Sequence, residues 1–149
     1  MTTTVGTETT LESLLEDLIQ LDYDAADAYQ AAIDRLENSS YRSRLAEFKR
    51  DHLRHITELG DILSSMGRTP PKEGDMKALL TKGKVVIAGL MGDEAILQAM
   101  RTNEADTNTA YERAVDFKGL QANTREVLQH GLADERRHCE WILEQLKHE

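Results

Sequence analysis

The 149-residue sequence has one cysteine, two prolines and few aromatics, which make up 5% of it. The single thiol, Cys139, excludes an internal disulfide and any rubredoxin-type or zinc-ribbon cluster, which need cysteines in paired spacing. Both prolines, Pro70 and Pro71, fall in the stretch GRTPPKEGD, the one strong linker signal. β-Branched runs are scarce and no apolar/polar alternation occurs, so strands have little support. Long apolar runs are missing too. Val85 to Met91, the longest, has a glycine inside it and falls far short of the ~20 residues of a spanning helix. The start, MTTTVGTETT, lacks a basic region followed by an apolar one, so no secretory signal is read and a cytoplasmic protein is expected. Nor is there a basic excess: 27 acidic residues against 18 basic give a formal charge of -9, which argues against nucleic acid and anionic membranes as partners.

What is present is helical periodicity. With 40% hydrophobic and 30% charged residues the composition is globular, and the length predicts one domain burying roughly 70% of its unfolded surface. A flexible tail is expected over 1–8 and a domain over 9–149, built from helix pairs 9–66 and 93–147 around a crossover at 67–92. The first helix is expected from Thr9, in capping-box spacing with Glu12, to Leu36. A second runs from Tyr41 to Met66, and Met76 to Leu90 is expected as a short crossover helix. The third starts after Asp93 as N-cap and ends near Phe117, and the last begins at Asn123. Two long helical hairpins joined by a long connection make an all-α four-helix bundle with an internal repeat.

The core stripes carry polar residues midway. On the first helix Leu11, Leu15, Leu18, Asp22, Ala25, Tyr29, Ala32 and Leu36 share a face; on the second, Leu45, Phe48, His52, His55, Leu59 and Ile62 do. The third gives Leu97, Met100, Glu104, Thr107, Tyr111 and Ala114, and the last Leu128, Gly131, Glu135, His138, Ile142 and Gln145. The second half repeats the first. Leu15, Leu18, Asp22 and Tyr29 recur 82 residues on as Leu97, Met100, Glu104 and Tyr111. Asp51, His52, Arg54 and His55 recur 83 residues on as Asp134, Glu135, Arg137 and His138. Because the repeated set is mostly polar, coincidence explains it poorly, and a duplication is the natural reading. Counted from the centre of each hairpin turn, these groups lie at heights that differ by on the order of 2 Å, so they are expected to converge at mid-bundle.

Three carboxylates and three imidazoles at one buried level are costly as bare charges or unpaired groups, and a metal ion removes that difficulty. Carboxylate oxygen and imidazole nitrogen are ligands of iron, manganese and zinc, and residues three apart on a helix reach one centre together. The candidate metal ligands are therefore Asp22, His52, His55, Glu104, Glu135 and His138. Asp51 and Asp134 are expected to orient neighbouring histidines or arginines. Tyr29 and Tyr111 are expected to pack in the core with a hydroxyl partner, Cys139 to be inert, and His130 and His148 to lie on the surface.

A carboxylate seven residues before a tyrosine, Asp22 to Tyr29 and Glu104 to Tyr111, resembles the first and third helices of the ferritin-like superfamily on its bacterioferritin and rubrerythrin side. The segment GDEAILQAMRTNEADTNTAYERAV is similar to the third-helix region of an uncharacterised bacterial family of ferritin-like four-helix proteins. The resemblance spans about residues 10 to 147. It implies a ferritin-like bundle and a metal centre, with iron(II) oxidation by dioxygen or peroxide, or peroxide reduction, as the expected chemistry. In it Asp22 and Glu104 are terminal ligands, Glu135 the bridging or central carboxylate, His55 and His138 the imidazole ligands and His52 an extra one. Iron is the expected metal, with manganese or zinc as alternatives and a homodimer as a possible assembly. Two departures bear on the count of ions: Asp22 is one methylene shorter than the usual glutamate, and His52 stands where a bridging carboxylate is expected. One ion, or an asymmetric pair, fits the residues. The competing reading is a non-catalytic structural or interaction bundle, with a structural zinc or a degenerate site.

Overall fold

The computed structural model describes residues 3–73 and 86–149. Its long elements are four helices: α1 (Leu11–Arg35), α2 (Ser39–Ser65), α3 (Asp93–Val115) and α4 (Ala122–Leu146). A helical turn covers 86–88, and no strand occurs among the described residues. Most of the crossover helix expected over Met76 to Leu90 lies outside the described residues.

Local chemistry sets the helix ends. Thr10, not Thr9, caps α1, its side chain accepting from the Ser13 amide; the capping-box pairing of Thr9 with Glu12 therefore does not form. Asn38 caps α2 by accepting from the Tyr41 amide. At the other end of α2, Gly67 adopts φ 79°, the Gly67 amide donates to Ser64 and the Arg68 amide donates to Leu63. That pair of bonds closes the last turn in a Schellman motif, which needs the left-handed residue that glycine supplies. Asp93 does not cap α3, which starts one residue earlier than expected with Gly92 at the N-cap. Its carboxylate instead accepts from the Glu37 and Asn38 amides, at 2.8 and 3.0 Å, in the turn between α1 and α2. The start of α3 is thereby pinned to the α1–α2 turn, so α3 runs antiparallel to α1, and Ser65 and Asp93 lie at opposite ends of the bundle.

The helices bury the faces that periodicity selects. Two apolar clusters form. One gathers Leu14, Leu15, Leu18, Leu59, Leu63, Tyr111, Ala114 and Leu128; the other gathers Tyr29, Ala32, Leu45, Phe48, Ile96, Leu97, Met100 and Ile142. Between them lies a buried polar layer. Leu11, Ile62 and Gln145, at the stripe ends, are only half buried. The stretch expected as a flexible tail is tied down from residue 3 onward: Val5 is buried, and the Arg113 guanidinium donates to the carbonyls of Thr3 and Val5. A single apolar side chain with a cationic partner far along the chain gives no periodic signal, so the sequence does not reveal this attachment.

One inexact position of the repeat changes the packing beside a tyrosine. Phe48 and Gly131 stand 83 residues apart, and the phenyl ring packs edge-on to Tyr29 with centroids 6.1 Å apart. At Gly131 the ring of Tyr111 lies directly against the α4 backbone, so a Cβ there would meet its Cε1 at 2.5 Å. Gly131→Ala is expected to displace Tyr111 and to destabilise the fold by about 1–3 kcal/mol, the usual range for overpacking. Thermal melting of the two proteins checks this; an unchanged midpoint would mean that Tyr111 moves freely.

Candidate metal centre

All six sequence-selected residues meet in the polar layer. α1 supplies Asp22, α2 His52 and His55, α3 Glu104, and α4 Glu135 and His138; each is at most 3% exposed. They form two overlapping quartets, Asp22–His52–His55–Glu135 and His52–Glu104–Glu135–His138, whose donor atoms lie within 4.8 Å of one another. His52 and Glu135 belong to both. The level arises because each helix places a polar residue midway along its buried stripe, and two side chains three residues apart on α2 and on α4 project together.

Contacts around the six cross between the repeat halves. The Tyr111 hydroxyl of α3 donates to Asp22 Oδ2 of α1 at 2.7 Å, and the Tyr29 hydroxyl of α1 donates to Glu104 of α3. The imidazole of His55 on α2 donates from Nε2 to Asp134 of α4 at 2.9 Å, and that of His138 on α4 donates from Nε2 to Asp51 of α2 at 2.8 Å. Arg54 and Arg137 complete the pattern, each bonded to both Asp51 and Asp134. These two aspartates therefore orient histidines and engage arginines. A carboxylate behind an imidazole fixes the tautomer and aims the other ring nitrogen inward, as outer partners of metal-bound histidines do.

Inside the layer the halves differ. Asp22 Oδ1 accepts from Nδ1 of His52 at 2.8 Å and from Nδ1 of His55 at 3.2 Å. Glu104 accepts instead from the Thr107 hydroxyl at 3.0 Å. Thr107 stands on the stripe, but the sequence gives no reason to assign it a role, because its counterpart 82 residues earlier is Ala25. Asn108, off the stripe, ties α3 to α4 by donating to the carbonyls of Glu104 and Glu135. Four of the six buried polar side-chain atoms without a hydrogen-bond partner among the described residues lie in this layer: Nε2 of His52, Nδ1 of His138, and both oxygens of Glu135. Buried polar atoms are almost always satisfied, and these oxygen and nitrogen donors, close together, could hold a metal ion. Cys139 is partly buried and borders the layer without belonging to either quartet, while His130 and His148 are exposed.

Electrostatics reinforce the pairing. Burial, the largest single influence, disfavours the charged imidazole of His52. The charge of Glu135 and the hydrogen bond to Asp22 outweigh it and push the group up to about 9. In the same way Asp22 and Asp134 outweigh burial and raise His55 to about 12, and Asp51 and Glu104 raise His138 to about 11. Burial also opposes the charged carboxylates, yet the facing imidazoles lower Asp22 and hold Glu104 well below the usual range.

The comparisons with known proteins bear on the fold and the family. Residues 10–116 match the family described as a domain of unknown function, DUF2383. The chain belongs to that family. The matched span carries Asp22, His52, His55 and Glu104, and ends before Glu135 and His138. The crystal structure of a conserved hypothetical protein, rv2844, from Mycobacterium tuberculosis is similar, with a TM-score of 0.76 at 16% identity over 93% of this chain and 99% of that one. At that identity the likeness shows a shared all-helical fold alone. No curated protein matches the chain. No helix among the described residues is long and apolar enough to cross a membrane.

The raised imidazoles make stability depend on pH with a definite sign. Each contributes fully below the unfolded value of 6.5 and loses its contribution as pH rises through its folded value, first through about 9 for His52. Asp22 and Glu104, lowered in the fold, contribute above their unfolded values of 3.8 and 4.5 and lose that as pH falls. With chelator present, the melting temperature is therefore expected to peak between pH 4.5 and 6.5 and to fall towards pH 9. A melting temperature that stays flat or rises from pH 6.5 to 9 would show that the imidazoles are neutral in the fold.

Proposed function

We propose that this chain is a ferritin-like metal protein whose mid-bundle centre holds iron for redox chemistry with small oxidants, either iron(II) oxidation by dioxygen or peroxide, or peroxide reduction. The observation that carries the reading is the cluster of unpartnered donor atoms on His52, His138 and Glu135 at the junction of the two quartets. Iron held by imidazole and carboxylate supplies one-electron exchange and Lewis acidity toward a bound oxidant. The chain's own residues set the conditions. Asp22 and Glu104 would be the terminal carboxylates and Glu135 the shared one; His55 and His138 would supply imidazole nitrogen, with His52 between the halves. Tyr29 and Tyr111 are held far above the ordinary phenol range, chiefly by burial, so they remain hydroxyl donors that fix the carboxylates they touch. The apolar clusters on either side limit access of water to the layer. Because the imidazoles bind protons tightly, metal uptake releases protons and strengthens as pH rises.

One observation favours a second reading, a bundle without redox chemistry. Asp22 is fully hydrogen-bonded to His52, His55 and Tyr111, as a carboxylate–imidazole core without metal would be. Elemental analysis of protein purified without chelator, followed by aerobic iron(II) addition, separates the two. The first reading expects stoichiometric metal and an iron-dependent absorbance change, and absence of both sinks it. Glu135→Ala is expected to abolish metal uptake and Asp51→Ala to weaken it by roughly 10–100-fold, the usual effect of losing an outer partner. Equal uptake by wild type and Glu135→Ala would show that the centre is misassigned.

A further inference from the structure

We propose that the two halves of the centre are unequal: Glu104, Glu135, His138 and Nε2 of His52 form the seat of a first divalent ion, and Asp22 and His55 complete a weaker second seat. This rests on the metal-centre reading above and adds an order of filling to it.

The distribution of hydrogen bonds carries the inference. In the first seat His138 commits Nε2 to Asp51 and keeps Nδ1 without a partner, facing Glu104 Oε1 at 3.4 Å and Glu135 Oε2 at 3.7 Å. His52 turns its unpartnered Nε2 to the same place, 3.5 Å from Glu104 Oε1. One Glu104 oxygen accepts from the Tyr29 hydroxyl and the other faces the Thr107 hydroxyl, whose single proton is shared with the Glu104 carbonyl, so both oxygens keep a lone pair. An ion therefore meets nitrogens and oxygens already aimed inward, and on binding it displaces only the protons of the two imidazole nitrogens.

The opposite half is closed. Asp22 Oδ1 accepts from two imidazoles and Oδ2 from Tyr111, while His55 is engaged at both ring nitrogens, by Asp22 and by Asp134. An ion between Asp22 and His55 must displace hydrogen bonds between charged groups, the strong kind. The cause is one difference between the repeats. His52 on α2 can donate to the carboxylate of its own hairpin. Glu135, its counterpart on α4, has no proton to give to Glu104, so the α3 carboxylate is satisfied by hydroxyls and His138 Nδ1 stays open.

Anaerobic titration of the full chain with cobalt(II), followed by absorption and calorimetry, tests the order. Wild type is expected to take a first ion at least about tenfold more tightly than a second. His55→Ala is expected to keep the tight step and lose the weak one, and His138→Ala to lose the tight step. Glu104→Gln and Asp22→Asn repeat the comparison with side chains of nearly unchanged size, and circular dichroism verifies that each variant folds. Two equal steps in wild type, loss of the tight step in His55→Ala, or equal losses in both histidine variants would overturn the order while leaving a metal centre in place. Failure of wild type to bind cobalt(II) would instead overturn the metal-centre reading and the order with it.

Discussion

Six buried ionisable side chains at one level of a helical bundle impose a strict electrostatic condition on everything around them. Each charge removed from water costs several kcal/mol unless an opposite charge, a hydrogen bond or a metal ion compensates it. The surroundings of this layer read as answers to that condition. Carboxylates face imidazoles inside it, tyrosine hydroxyls approach from the apolar clusters, and Asp51 and Asp134 link the outer imidazole nitrogens to Arg54 and Arg137. The arginines keep their heads half exposed, with side chains 40% and 50% accessible, so the charge is passed outward in steps from a dry core to solvent. Two separate apolar clusters, rather than one continuous core, follow from the same cause, because the layer interrupts the stripes of all four helices.

Much of this was legible in the sequence because helical periodicity selects a face and counting from a turn gives a height. Asp22, His52, His55, Glu104, Glu135 and His138 satisfy both, and the structure brings all six together. The 82- and 83-residue displacements even pair residues that take equivalent positions, such as Tyr29 with Tyr111 and Asp51 with Asp134. Partner choice across helices was not legible. Whether Tyr111 reaches Asp22 or a neighbour depends on the rotation and stagger of α1 against α3, which no local pattern encodes. Asp93 shows the same limit: its type and position suit an N-cap, but the nearby α1–α2 turn offers two free amides that take its carboxylate. The attachment of Val5 and the hydroxyl of Thr107 are likewise products of tertiary proximity.

Three departures from exact repetition fall at the centre or next to it. His52 against Glu135, Thr107 against Ala25 and Phe48 against Gly131 each replace one chemistry by another at an equivalent position. The first pair changes which side chain can donate a hydrogen bond. The second supplies a hydroxyl where that donor is missing, and the third decides whether a ring or a backbone packs against the tyrosine. Together they give the two halves of the middle different electronic and steric environments. The span matched by the family, residues 10–116, stops before α4, which supplies Glu135 and His138.

The crossed contacts carry a further consequence. Neither hairpin completes its own half of the layer, since α1 depends on a hydroxyl from α3, and α2 depends on a carboxylate from α4, with the reverse also true. A single hairpin associating with a second copy of itself would make the same reciprocal contacts by symmetry. The middle of this bundle thus has the logic of a subunit interface sealed inside one chain. A symmetric pair must place the same residue on both sides, whereas a single chain can set a histidine opposite a glutamate.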